Sequence, residues 1–188
     1  VNEEKSDALA ERINASEVKM PQIPKPLHGM APRVFLGDEW WQQEKMRAKM
    51  QTDNHCVACG VHRDDALEHQ WMECHETYDI NYYLGRMVYQ RTIPLCHYCH
   101  NFIHAGRMEM MVEQKLMTRL KYESIIRRGN RILREAGLKK QKPYNGLCAQ
   151  WKNWRLWIFG VSYAPVIRSY EEWEHKYARL NGDVIDQE

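Results

Sequence analysis

The chain has 188 residues, 44% hydrophobic and 28% charged, with a formal net charge of +2. That is enough chain for one domain with appendages and a buried core, and the composition excludes a largely disordered protein. No apolar run approaches the roughly 20 residues of a membrane helix, and no N-terminal stretch resembles a signal peptide, which predicts a soluble, cytoplasmic protein with no membrane partner.

Residues 1–30 read as a flexible arm. Its first 18 residues carry five acids against two bases, with an acidic helix expected there, and the stretch Met20 to Gly29 holds three prolines. Proline fixes φ and removes a donor, so that stretch is expected to run extended. Asp38 is a plausible N-cap for a helix to about Met50, with Trp40 and Trp41 expected to pack in the core. Residues 71–79 and 86–93 read as strands, because Val88, Tyr89, Thr92 and Ile93 favour extended backbone. Pro94 is expected to end the pairing, and a helix follows from near Cys96 past His104.

Two more helices are expected, from about Met108 to Tyr122 and from about Ser124 to Ala136, with Gly137 past the end of the second. Met108, Met111, Val112, Leu116 and Leu120 fall near one face and read as core. Residues 107–142 hold eleven Lys and Arg against four Glu, a local excess that suits a polyanion surface. Arg127, Arg128, Arg131 and Arg134 are the candidate nucleic-acid contacts. From residue 143 on, aromatic residues dominate. Trp157 to Val161 reads as a short strand, and Ser169 with Glu172 as a capping box on a last helix.

Five of the six cysteines and seven of the nine histidines lie within residues 52–104. Cys56-Val-Ala-Cys59 and Cys96-His-Tyr-Cys99 are two C-x2-C knuckles 36 residues apart. In a reducing compartment such pairs bind metal, and two of them complete a tetrahedral four-thiolate zinc site. A shell of four thiolates leaves no open position, so this zinc is structural. Cys74 and Cys148 stand outside both knuckles and read as ordinary buried thiols. His97, between two ligands, reads as exposed or as supporting the site.

A second constellation overlaps the first. His100 and His104 are spaced i, i+4 and share a helix face. His75 lies on the first strand with Glu76 beside it. If strand and helix pack together, His75, His100 and His104 converge on a divalent metal.

This arrangement resembles the HNH endonucleases, also called ββα-metal or His-Me finger nucleases. The residues that carry the resemblance are Cys56-x-x-Cys59, Met72-Glu73-Cys74-His75-Glu76, and Pro94-Leu95-Cys96-x-x-Cys99-His100-Asn101-x-x-His104. They span about 50 residues. Trp40-Trp41, Ala58-Cys59-Gly60-Val61 and Gly85-Arg86-Met87 are similar to a bacterial and phage branch of that family. The resemblance implies an α+β fold: a zinc-stapled ββα-metal core with flanking helices and a small aromatic-rich C-terminal subdomain. The expected organisation is an arm over 1–30, the HNH domain with its preceding helix over 31–106, a basic helical segment over 107–142 and the aromatic subdomain over 143–188.

The implied activity is hydrolysis of DNA phosphodiester bonds by one divalent metal, Mg²⁺ or Mn²⁺ with Zn²⁺ or Ni²⁺ as alternatives, beside the structural Zn²⁺. The metal would bind the scissile phosphate while a nearby base activates water. His100 maps onto the ligand after the last cysteine, and His104 onto an extra histidine of some members. The strand admits two registers. One makes His75 the ligand and Glu76 the base; the other makes Cys74 the ligand and His75 the base. Hydrophobic alternation favours the first, and the pKa of imidazole favours the second. One position departs from the family: Arg91 stands where its middle Asn is expected. The alternatives to a nuclease are a non-catalytic zinc module of HNH ancestry that binds DNA or a protein partner, and a phage-encoded inhibitor of a host system on the same scaffold.

Overall fold

The computed structural model describes residues 13–180, with side chains described to residue 177. Among these the chain is α+β, with five α-helices and a four-stranded sheet. The helices are α1 (Pro32–Gln51), α2 (His97–Ile103), α3 (Ala105–Glu113), α4 (Arg119–Glu135) and α5 (Tyr170–Leu180). The strands are β1 (Glu73–Asn81), β2 (Arg86–Leu95), β3 (Arg155–Ile158) and β4 (Val161–Tyr163). The acidic helix expected near the N-terminus falls mostly on residues outside the described range.

The chain divides into two compact units. Among the described residues, one comprises 13–20, Asp38–Thr77 and Arg91–Lys142; the other comprises Pro21–Gly37, Tyr78–Gln90 and 143–180.

The first unit holds the cysteine- and histidine-rich segment. Gly37, at φ 85° and ψ 169°, interrupts α1, so the helix restarts at Asp38. Asp38 therefore stands inside the first turn, where its charge suits the helix dipole, rather than acting as the cap. Trp41, Glu44 and Ala48 line the buried face of this helix, while Trp40 is half-buried. The core gathers Val57, Met72, Ile93, Leu95, Phe102, Met108, Ile125 and Leu133 around the four knuckle cysteines.

Pro94 does not end the second strand as expected. β2 runs on through Pro94 and Leu95, both buried, and the Pro94 carbonyl accepts from the Val57 N–H at 3.1 Å. Proline lacks a donor but keeps its acceptor, and the first knuckle uses that acceptor.

The helical breaks also differ from the periodicity. The helix after Cys96 divides at His104, and the next break falls at 114–118 rather than near 123. There Lys115 adopts φ 61°, and the Thr118 hydroxyl caps α4 by accepting from the Lys121 N–H at 3.2 Å. Met108 is buried as expected, but Leu116 and Leu120 are exposed, because they lie in and just after that break. Gly137 closes α4 at φ 68°, with Leu138 N–H reaching back to the Leu133 carbonyl at 2.7 Å, as a left-handed C′ glycine allows.

α4 packs on α2 at Gly129. A Cβ there would run into the Phe102 ring. Alanine ordinarily favours a helix over glycine by about 1 kcal/mol, but overpacking a buried contact costs about 1–3 kcal/mol. Gly129→Ala is expected to lower stability, read as a reduced melting temperature; an unchanged or raised one would mean that α2 and α4 separate easily.

The second unit holds the remaining strands and the aromatic segment. A connection of four residues, 82–85, joins β1 to β2, too short for anything but a hairpin. β2 pairs β3 in parallel from Arg86↔Arg155 to Val88↔Trp157, and β3 turns back into β4 through Phe159 and Gly160, both at positive φ. That two-residue turn is the reason the single strand expected over 157–161 is a hairpin. The prolines of 20–29 do not leave a purely extended stretch: a 3-10 turn at Lys25–Leu27 buries Pro26 and Leu27. The aromatic rings are largely occupied by packing. Trp154 is buried, Tyr82 stacks on Tyr144, and Lys25 lies over Tyr170 and Trp173. Ser169 caps α5 through the Glu172 N–H at 3.2 Å, and the Glu172 carboxylate takes the Arg168 N–H at 2.7 Å.

Candidate metal centres

The first centre is the four-cysteine cluster. Cys56 and Cys59 flank a tight turn closed by Gly60 at φ 71°, with the Gly60 N–H donating to the Cys56 carbonyl at 2.8 Å. Cys96 and Cys99 sit at the start of α2. All four sulfurs lie within 4.8 Å of one another. Cys59 Sγ and Cys96 Sγ are 3.7 Å apart. A zinc tetrahedron with arms of about 2.3 Å has edges of about 3.8 Å, whereas a disulfide would need about 2.05 Å. The donor set and its spacing therefore fit zinc.

Hydrogen bonds within the cluster set the thiols apart. The bond with Cys56 lowers Cys59 and Cys96, while Cys56, bonded to Cys59, and Cys99, bonded to Cys56, are raised. Without a cation, each new thiolate meets the charge of the last, and a divalent ion removes that conflict. The other two cysteines differ from the expectation of buried thiols. Cys148 is exposed. Cys74 is half-buried, with burial pushing its thiol up to about 11.

The second centre joins β1 to α2. His75, His100 and His104 bring ring nitrogens within 4.8 Å of one another, and His104 Nε2 lies 3.2 Å from His75 Nδ1. His100 is fixed by position: it follows Cys99, and its backbone N–H donates to the Cys96 carbonyl at 2.9 Å. Burial, with the charges of His100 and Arg107, pushes His104 down to about 4. It is therefore neutral near pH 7, the form that donates a lone pair to a metal.

Alternation along β1 separates the remaining candidates. Glu73 and His75 face the imidazoles. The Cys74 thiol points instead toward the Lys45 carbonyl of α1, at 3.9 Å, and feels the charges of Lys49, Lys45, Glu76 and Glu44. Glu76 is buried on that same side and is not part of the imidazole group.

His97, read from the sequence as exposed or supporting the site, bonds Glu73, while no sequence signal singled out His69 or gave Glu73 a role of its own. Glu73 Oε1 accepts from His97 Nδ1 at 2.8 Å and from His69 Nε2 at 2.9 Å, and Glu73 Oε2 accepts from His100 Nδ1. Burial pushes the Glu73 carboxyl up, but the bonds and charges of His100 and His97 outweigh it and hold it well below the usual carboxylate range. With Nδ1 of His100 engaged by Glu73, Nε2 is the atom His100 has left for a metal. An outer carboxylate orienting a ligand imidazole is a common device.

The four candidate arginines share α4. The buried side of that helix is Ile125, Gly129 and Leu133. Arg131 and Arg134 are exposed, Arg127 pairs with Glu123 at 3.6 Å, and Arg128 is half-buried over the Tyr98 ring. Arg91 makes an ion pair with Glu17 at 2.6 Å.

No protein-family model, curated protein or solved structure matches the chain. Among the described residues, no helix is long and apolar enough to cross a membrane.

Proposed function

We propose that the chain is an HNH-type endonuclease that hydrolyses DNA phosphodiester bonds at a divalent metal held by His75, His100 and His104. The observation that carries this reading is the convergence of those three imidazoles, from a strand and a following helix, beside a four-cysteine cluster. When bound, the metal would polarise a phosphoryl oxygen and lower the pKa of the attacking water. His75 serves as ligand, Glu73 orients His100, and the four cysteines hold zinc that fixes the start of α2. The test is incubation of the protein with duplex, single-stranded and branched DNA in Mg²⁺, Mn²⁺, Zn²⁺ or Ni²⁺. Cleavage that chelation stops is expected; an inert protein on every substrate leaves the DNA- or protein-binding module in its place.

Glu76 stands away from the imidazoles, so Glu76→Gln is expected to keep cleavage within about tenfold of wild type, well short of the 10²–10⁴-fold usual for a general base. A loss beyond about 100-fold in a folded variant would make Glu76 the base.

The basic face of α4 is proposed to grip the phosphate backbone. Replacing Arg127, Arg128, Arg131 and Arg134 with Gln should weaken DNA binding across sequences. The slope of log affinity against log salt should fall by about 0.9 for each phosphate no longer neutralised. Arg131 and Arg134, which stand exposed on the helix, should account for most of it. An unchanged slope would make this a solvated face.

A further inference from the structure

We propose that His69, Glu73 and His97 form a third metal site, of the two-histidine, one-carboxylate type, which takes a first-row divalent ion such as Zn²⁺. It lies outside the three-imidazole group and does not depend on the nuclease reading. His69 comes from the segment before β1, Glu73 opens β1, and His97 opens α2 between two cysteines of the zinc cluster. Their donor atoms lie within 4.8 Å of one another. His69 Nε2 and His97 Nδ1 both point at a single oxygen, Glu73 Oε1, at 2.9 and 2.8 Å.

Two imidazole nitrogens and a carboxylate oxygen are a recurrent ligand set for zinc with open positions. With arms of about 2.1 Å, neighbouring ligands sit about 3.0 Å apart in an octahedron and about 3.4 Å apart in a tetrahedron. The two nitrogen–oxygen spacings, 2.9 and 2.8 Å, are close to the octahedral value and would open by about half an ångström to reach the tetrahedral one. An imidazole ligates through one ring nitrogen while the other carries its proton.

The site is also open and braced. The side chains of His69, Glu73 and His97 retain 17%, 20% and 22% exposure, which leaves a path for an ion and water. His69 stacks on Trp71 with ring centroids 3.6 Å apart and planes 12° from parallel. The Asn101 amide donates to the His97 carbonyl at 2.9 Å, within the zinc-anchored turn.

Glu73 then links two sites. Its Oε1 ligates the new ion, while its Oε2 holds His100 in the three-imidazole group. Occupancy of one site should therefore alter affinity at the other, since the same carboxylate serves both.

The test counts zinc on the full chain by equilibrium dialysis and elemental analysis. Wild type is expected to saturate at three ions per chain, one for each group. The double variant His69→Ala/His97→Ala should hold one fewer, while His75→Ala should lose a different one. Co²⁺ substitution checks folding in every variant, because only the four-cysteine site gives an intense thiolate charge-transfer band. If the double variant loses that band, His69→Asn alone decides, with a loss of at least about tenfold in the affinity of one zinc. A double variant that binds as many ions as wild type, or an unaltered affinity in His69→Asn, overturns the proposal and leaves a hydrogen-bonded cluster. If His75→Ala loses no ion while the double variant does, the three-imidazole reading fails and this one stands.

Discussion

Replacing His100 with Ala is expected to abolish divalent-metal-dependent DNA cleavage while the four-cysteine zinc stays bound. His100 follows Cys99 directly, so the four-cysteine cluster fixes its backbone, and Glu73 fixes its ring through Nδ1. A ligand held from both sides is already placed for its metal, and small misplacement is costly at such a centre. Its loss removes one of three imidazoles and releases an oxygen of Glu73. Several kcal/mol of metal-derived stabilisation should go with it, a fall of about 10²–10³-fold in rate. His75→Ala should match it, since His75 is the only contribution of β1 to the three-imidazole group. Nicking of supercoiled plasmid reads the rate, and calorimetric titration reads the metal affinity. A His100→Ala chain that cuts as fast as wild type would mean that α2 is not part of the active centre.

The second large effect falls on folding. Cys56→Ser or Cys99→Ser should release the structural zinc and unfold the cysteine-rich unit. Both sulfurs are buried, and the core packs directly around them. Structural zinc is worth about 10–16 kcal/mol in small metal-folded domains, while whole domains are stable by about 5–15 kcal/mol. Losing the ion therefore exceeds what the remaining core can supply. Loss of zinc by elemental analysis together with loss of the cooperative melt is the expected result. A variant that keeps full zinc and an unshifted melting temperature would show that these sulfurs are not ligands.

The features legible in the sequence are local or periodic. A C-x2-C knuckle declares itself because both sulfurs come from one turn, and two knuckles are needed to close a tetrahedron. His100 and His104 are legible because i, i+4 is one helix face, and alternation along β1 puts His75 apart from Cys74. The role of Glu73 is not legible. It depends on the segment carrying His69 returning beside the start of α2, a tertiary event that no spacing encodes. Pro94 misleads because its missing donor argues for an end to the strand, whereas its carbonyl holds the first knuckle. The break at 114–118 is also hidden: Lys115 at positive φ is chemically unmarked, and Thr118 signals a cap only once the helix start is known. Leu116 and Leu120 look like core for the same reason, since a stripe continues only while the helix does.

If His75, His100 and His104 form a metal-dependent phosphodiester-cleaving centre, its metal must set the rate of cleavage. The most direct test is the rate of plasmid nicking as Mn²⁺ is added to protein whose four-cysteine zinc is full. Wild type should nick with a rate that saturates as the three-imidazole site fills, and His100→Ala should stay flat over the same range. A wild type that never nicks, or a His100→Ala chain that follows the same curve, would contradict this assignment.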